Sequence, residues 1–239
     1  ELGRLDIYIN VALLSSFLTQ PRRGHMEAIE SIYGYLKHHD RSTMVFDDAE
    51  IHWNDVDFPH YDWEDFYKDA KEEIPPNAPE PRGIAVQMNV FVDANHARNR
   101  LTRRSHTGIL IYLNTAPIIW YSKAQTTVES STFGSEFVAM RIATDLIEGL
   151  RYKLRMFGVP LDGPANVVTD NLAVVQNSTI PSSTIKKKHK SICYHRVREA
   201  IAAGILRLTH IPSTENLADM FTKPLPAIIL QRLSQHILY

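Results

Sequence analysis

Apolar positions in this chain follow two rhythms, and each change of rhythm marks an element. From Gly83 onward Ile84, Val86, Met88, Val90 and Val92 alternate with Ala85, Gln87, Asn89, Phe91 and Asp93. That is the two-residue period of a strand, and its last position carries a carboxylate on the face opposite the valines. Residues 107–113 and 118–122 read as two further strands, rich in Ile, Tyr and Trp and joined by the turn chemistry of Asn114-Thr115-Ala116-Pro117. The period then lengthens. Phe133, Phe137, Met140, Thr144, Ile147, Leu150 and Leu154 stand three or four apart, predicting a long helix over 131–157 that Gly158-Val159-Pro160 ends. Residues 166–170 form a short β-branched strand, 171–177 a helix, 191–203 a helix stopped by Gly204, 205–211 a strand, and a last helix starts near Thr214 or Glu215. The predicted order is β-β-β-α-β-α-α-β-α, an α/β domain.

Ahead of it, residues 1–46 read as helical. Ile7, Val11, Leu14 and Phe17 or Leu18 recur at helical spacing until Pro21, and a second helix over 25–39 puts Ala28, Ile32 and Tyr35-Leu36 on one face. Two such helices are too small to hold a core alone, so they read as a tethered segment. Residues 47–83 are an acidic, Pro-containing connector in which Trp53, Phe58, Tyr61, Trp63, Phe66 and Tyr67 stand among carboxylates. Its aromatics are expected to pack back onto the neighbouring domain, the alternative being a docking segment for a basic partner. The α/β domain is expected over 84–226, with a tail over 227–239.

Charge sharpens this division. The 239 residues carry a net charge of −1, yet twelve acidic residues and two lysines fall between Asp47 and Glu80. The rest of the chain therefore carries a surplus of nine positive charges, suited to a polyanion. No apolar run approaches the roughly 18 residues of a membrane span, and a single cysteine, Cys193, excludes an internal disulfide. The expected location is intracellular and cytoplasmic, not secreted. A start at Glu1-Leu2-Gly3 without an initiator Met reads as a piece of a longer polypeptide.

Four carboxylates stand out by position. Asp93 ends the first strand, Glu136 lies in the long helix, Asp170 ends the fourth strand and Asp219 lies in the last helix. Taken singly, each is more simply a solvated charge or a cap, and Asp170 is an ordinary helix N-cap position. Four of them, each at a different element, can converge on a pair of divalent cations.

The residues that carry more information are Asp93-Ala94, Arg104-Ser105-His106-Thr107-Gly108, Trp120-Tyr121-Ser122-Lys123-Ala124-Gln125, Glu129-Ser130-Ser131, Glu136-Phe137, Thr169-Asp170-Asn171, Lys188-His189, Tyr194-His195, Arg198-Glu199, Ile211-Pro212 and Leu217-Ala218-Asp219, followed by Thr222-Lys223-Pro224-Leu225-Pro226. In this order, over 86–226, they resemble the ribonuclease H domain of Ty1/copia-type retrotransposon polyproteins. Leu5-Asp6-Ile7, Leu14-Ser15, Phe17, Pro21, His25, Ala28 and Tyr35-Leu36-Lys37 resemble the segment that joins reverse transcriptase to the nuclease in the same polyproteins. The paired aspartates of the polymerase are not present.

The resemblance implies a ribonuclease H-like fold with a five-stranded mixed sheet, and an endoribonuclease that cuts the RNA strand of RNA/DNA hybrids. It implies two Mg2+ (or Mn2+) ions roughly 4 Å apart, with Asp93 the shared ligand, Glu136 and Asp170 on the same pair and Asp219 completing the second site. It also implies the reverse transcriptase domain of the same polyprotein as partner, in a retrotransposon particle. Arg98, Arg100, Arg103 and Arg104, after the first strand, with Lys123 and the run Lys186 to Lys190 (Lys186 and Lys188 above all), are candidate phosphate contacts, each also readable as a solvated charge. Asn171 is expected to cap a helix rather than bind metal, and His189 and His195 to pack or cap. The family's mobile histidine after the fifth strand is missing, since Ile211-Pro212-Ser213-Thr214 stands there and His210 precedes it; Gly134 and Cys193 replace a commonly acidic and a commonly basic residue. The alternative function is a non-catalytic nucleic-acid-binding or scaffolding module. A different nuclease or an integrase on the same fold fits the Asp-Glu-Asp-Asp order less well.

Overall fold

The computed structural model describes residues 3–53, 55–99, 102–185 and 191–238. Its centre is a five-stranded sheet of β1 (Met88–Asn95), β2 (His106–Leu113), β3 (Ala116–Ala124), β4 (Ala165–Thr169) and β5 (Leu206–His210), in the order β3-β2-β1-β4-β5. The short links make β1–β2 and β2–β3 antiparallel, whereas β1–β4 and β4–β5 are parallel and need helical crossovers. The helices are α4 (Thr132–Met156), α5 (Leu172–Thr179) and α6 (Ser191–Ala202), preceded by α1 (Tyr8–Ser15), α2 (Arg23–His38) and the single turn α3 (Glu64–Tyr67), and followed by α7 (Ala227–Ser234).

Alternation along the strands decides what each face of the sheet buries. Val90, Val92, Ile109, Ile111, Val167 and Leu208 face α4 and α6, meeting Phe137, Met140, Ala143, Ile147 and Val197. Phe91, Leu110, Tyr112 and Val168 face the other way, against Leu5, Leu217, Met220, Phe221, Leu233, Ile237 and Leu238. Both faces are thus covered, the second one by residues from the two ends of the chain. The stretch expected as a tail holds α7.

Two expected elements differ. β1 begins at Met88 rather than near Ile84, because the Val86 backbone pairs with the segment after α4: its N–H donates to Pro160 O at 3.0 Å and its carbonyl accepts from Asp162 N at 2.9 Å. The expected last helix is two 3-10 turns, Ser213–Glu215 and Leu217–Phe221. Asn216 separates them with an extended backbone (ψ 102°), its Oδ1 accepting from Ala218 N and its Nδ2 donating to Val92 O at 3.0 Å. An asparagine used as cap and as tie to β1 cannot also continue a helix.

The connector packs back on the domain through Trp53, Phe58, Trp63 and Tyr67, whereas Tyr61 and Phe66, expected to do the same, stay exposed. Trp53 Nε1 donates to the buried Asn89 Oδ1 at 2.8 Å, and the Trp53 ring meets Phe58 and Phe91. Glu72 receives Arg151 and Arg155 from α4. Arg198, 2% exposed, lies over the rings of Trp63 and Tyr194 at 4.7 and 4.8 Å and donates to the carbonyls of Asn177, Ile180 and Pro181.

Candidate active site

The C-terminal end of β1, the first turns of α4 and the residue after β4 meet because β4 runs parallel beside β1 while α4 crosses between them. Ser131 caps α4, its side chain accepting from Gly134 N at 3.2 Å, which sets the start of the helix and hence the place of Glu136. Asn171 does the same for α5, accepting from Val174 N, so it caps a helix as expected and fixes the chain at Asp170. Asp93, Glu136 and Asp170 each present a carboxylate oxygen within 4.8 Å of the others. Asp93 and Glu136 are buried, and Asp170 is half-buried.

The fourth carboxylate, Asp219, is buried beside this group but outside the three-residue cluster. It sits on the 3-10 turn Leu217–Phe221, and its Oδ1 accepts from Lys223 Nζ at 2.8 Å. The turn lies close to β2 because of Gly108, the register partner of Asp93. A Cβ at Gly108 would come 2.7 Å from Ala218 O and from Thr222 Cγ2. With no side chain there, Thr222 reaches across and its Oγ1 donates to Asp93 Oδ2. Thr222 and Lys223, which touch two of the four carboxylates, were legible only as members of a motif.

Electrostatics at this point are costly. Burial raises the Asp93 carboxyl to about 7, Asp219 and Asp170 add to the rise, and the Thr222 hydrogen bond and Lys223 work against it. Glu136 is pushed well above the ordinary carboxylate range by burial and by Asp93 and Asp170, with the Ala94 amide opposing. Its Oε2 is buried and has no hydrogen-bond partner among the described residues. Crowded, desolvated carboxylates with an unpartnered oxygen are the donor set that a hard divalent cation takes. The residues therefore fit a metal of the Mg2+ or Mn2+ class, with Asp93, Glu136 and Asp170 as the group able to hold it and Asp219 adjoining.

Of the basic candidates, Arg98, Arg104 and Lys123 line one cavity of about 600 Å3 near the same end of the sheet. Arg103 is exposed on a turn at φ +55° and does not line it. Arg100, Lys186, Lys188 and His189 lie outside the described residues. His195 is exposed on α6 and meets the rings of Tyr67 and Tyr194 edge-on, its Nδ1 2.5 Å from Tyr67 Oη, and His210 is exposed at the end of β5. His106, buried on β2 between β1 and β3, is legible in the sequence only as a member of a motif; its Nε2 meets Ser122 Oγ at 2.8 Å, and Ser122 donates to Phe221 O at 2.6 Å.

Comparison with known proteins gives the site a context. No protein-family model matches the chain. The retrovirus-related Pol polyprotein from transposon RE1 of Arabidopsis thaliana is 25% identical over 234 residues, 98% of this chain, and that from transposon RE2 of the same plant is 28% identical over 156 residues, 65% of this chain. The chain spans 14% and 11% of the lengths of these two relatives. Among solved structures, LC11-RNase H1 in complex with RNA/DNA hybrid overlaps 57% of this chain and 94% of its own, at 16% identity and a TM-score of 0.46. Strand order and helix placement, rather than that overlap, carry the fold reading. No described helix is long and apolar enough to cross a membrane. The chain is similar to a stretch of the retrovirus-related Pol polyproteins of plant transposons, and its order of strands and helices is the one expected from the sequence for a ribonuclease H-like α/β fold.

Proposed function

We propose that this chain is an endoribonuclease that cleaves the RNA strand of RNA/DNA hybrids, as the nuclease portion of a copia-type retrotransposon polyprotein. The observation that carries the reading is the meeting of Asp93, Glu136 and Asp170 within 4.8 Å of one another. They come from three separate elements, with Asp219 beside them on a fourth. Homology to transposon Pol polyproteins supports the hybrid as substrate, since reverse transcription leaves template RNA paired to new DNA.

Two Mg2+ or Mn2+ ions bound by these carboxylates would supply Lewis acidity to the scissile phosphate and lower the pKa of an attacking water. The chain's own residues do the positioning. Thr222 orients Asp93 through its hydroxyl, the Asn171 cap fixes the chain at Asp170 after β4, and Lys223 holds Asp219 through its ion pair. Lys223 also offsets part of the negative charge that the carboxylates and a nucleic-acid phosphate would bring together. Residues 47–83 serve as a connector between a helical segment over 1–46 and the nuclease domain over 84–226, and the polymerase portion of the polyprotein is the proposed partner.

The test is cleavage of a labelled RNA/DNA hybrid in Mg2+ or Mn2+ by the full chain and by Asp170→Asn, with single-stranded RNA and duplex DNA as controls. Cutting of RNA only in the hybrid, abolished by EDTA and reduced at least a hundred-fold in the variant, is expected. Binding without cutting in either metal would favour the scaffolding module instead.

A further inference from the structure

The cavity holding Arg98, Arg104 and Lys123 is walled on its far side by α1 and the turn that follows it, through Leu13, Ser16 and Phe17. Among the described residues none of the three cations forms a salt bridge. Arg98 spends one Nη1 donor on Thr222 O at 2.9 Å and is half-buried. Arg104 and Lys123 are exposed at the rim. Three positive groups converging on a concave, partly apolar space without an anion are arranged to receive one.

Position in the sheet says which anion. Because β1–β2 and β2–β3 are both antiparallel, the start of β2 and the end of β3 lie at the same edge of the sheet as the end of β1, with His106 opposite Asn95 and Ala124 opposite His106. Lys123 therefore lies two strands, or about 10 Å, from the strand that carries Asp93. A nucleic-acid duplex advances about 3.4 Å of axis per phosphate on each strand, so a backbone held at the carboxylates passes this cavity a few nucleotides away. The end of α1 does not repel it strongly: the carbonyls of Leu13, Leu14 and Ser15 already accept from the amides of Ser16, Phe17 and Leu18. The apolar wall shields the cations from water on that side, which strengthens their pull on a phosphate.

We infer that this cavity is a backbone-phosphate subsite for the nucleic-acid substrate, completed by α1. The inference rests on the nuclease reading, and adds that the helical segment ahead of the connector is part of the substrate-binding surface. Contacts of this kind position a duplex without reading its sequence.

The experiment uses the full chain in the Asp170→Asn background, with anisotropy of a labelled RNA/DNA hybrid followed over a series of salt concentrations. Lys123→Ala and Arg104→Ala are each expected to raise Kd about three- to ten-fold and to flatten the plot of log Kd against log salt by about one. Ser16→Glu, which places a negative charge on the α1 wall, is expected to weaken binding to a similar degree, while Lys68→Ala leaves it unchanged. If the hybrid binds and the Lys123 and Arg104 variants match the parent in Kd and slope, the subsite is overturned and the nuclease reading stands. If only Ser16→Glu is without effect, the role of α1 is overturned. Failure of the parent to bind any hybrid would remove both.

Discussion

Single side chains around the carboxylates show how closely neighbours set their chemistry. His106 is 6% exposed, and its imidazole falls to about 4 from an ordinary 6.5, through burial first and the Arg98 charge second. Its neutral ring meets Ser122, which holds the 3-10 turn at Phe221, so the histidine acts as a strut beneath the turn that carries Asp219. The pH consequence has a definite sign. Between pH 6.5 and 4 the unfolded chain takes up a proton that the folded chain refuses, so stability is intact above that window and falls as pH is lowered through it. The loss attributable to this residue reaches about 3 kcal/mol at the acid end. His106→Gln, which keeps a polar atom for Ser122 but does not titrate, is expected to flatten the decline of the urea midpoint over that pH range. An unchanged slope would show that other groups set it.

At the scale of elements, the close approach of the turn Leu217–Phe221 to β2 is the feature most sensitive to a small change. Gly108 is flanked on its open side by Ala218 O, Thr222 Cγ2 and Phe221 Cβ, two of them 2.7 Å from where a Cβ would stand. Gly108→Ala must push that turn away, lifting Thr222 from Asp93 and moving Asp219 outward. A cost of about 1–3 kcal/mol in urea unfolding is expected from overpacking. Hybrid cleavage should fall by more than that stability loss would predict, because the carboxylates lose their relative placement. Normal cleavage in the alanine variant would mean that Asp219 tolerates displacement. The requirement is for space, since Gly108 sits in a strand rather than at a positive φ.

On the scale of the whole molecule, the two ends of the chain close one face of the sheet. Leu5 is completely buried in the same apolar cluster as Phe91, Leu110, Phe221 and Leu233. If residues near the start were only tethered, truncating Leu5 would be nearly silent. Leu5→Ala is instead expected to destabilise the α/β domain by about 2–5 kcal/mol, seen as a lower urea midpoint with a single transition for tryptophan fluorescence and circular dichroism. Two separate transitions would show that the segment and the domain unfold independently. Trp53 is a suitable reporter, since the connector that holds it is pinned to Asn89 and Phe91.

Much of this protein is determined by its sequence alone. The two-residue alternation before Asp93, the helical spacing after Ser131 and the Gly and Pro stops lay out the order of strands and helices, because these periods record which side of each element is buried. Motif order likewise marks Asp93, Glu136, Asp170 and Asp219 as candidates, and these four lie together in the structure, three in one cluster and the fourth beside it. Local pattern does not reach contacts between residues far apart in the chain. That Asn216 breaks a helix in order to bond Val92, that Gly108 makes room for Thr222, and that Leu5 and Leu233 share one core depend on segments more than a hundred residues apart meeting at a particular register. The cavity between α1 and Lys123 is of the same kind. Apolar burial drives such meetings without direction, and only the packed tertiary structure decides which groups end up within bonding distance.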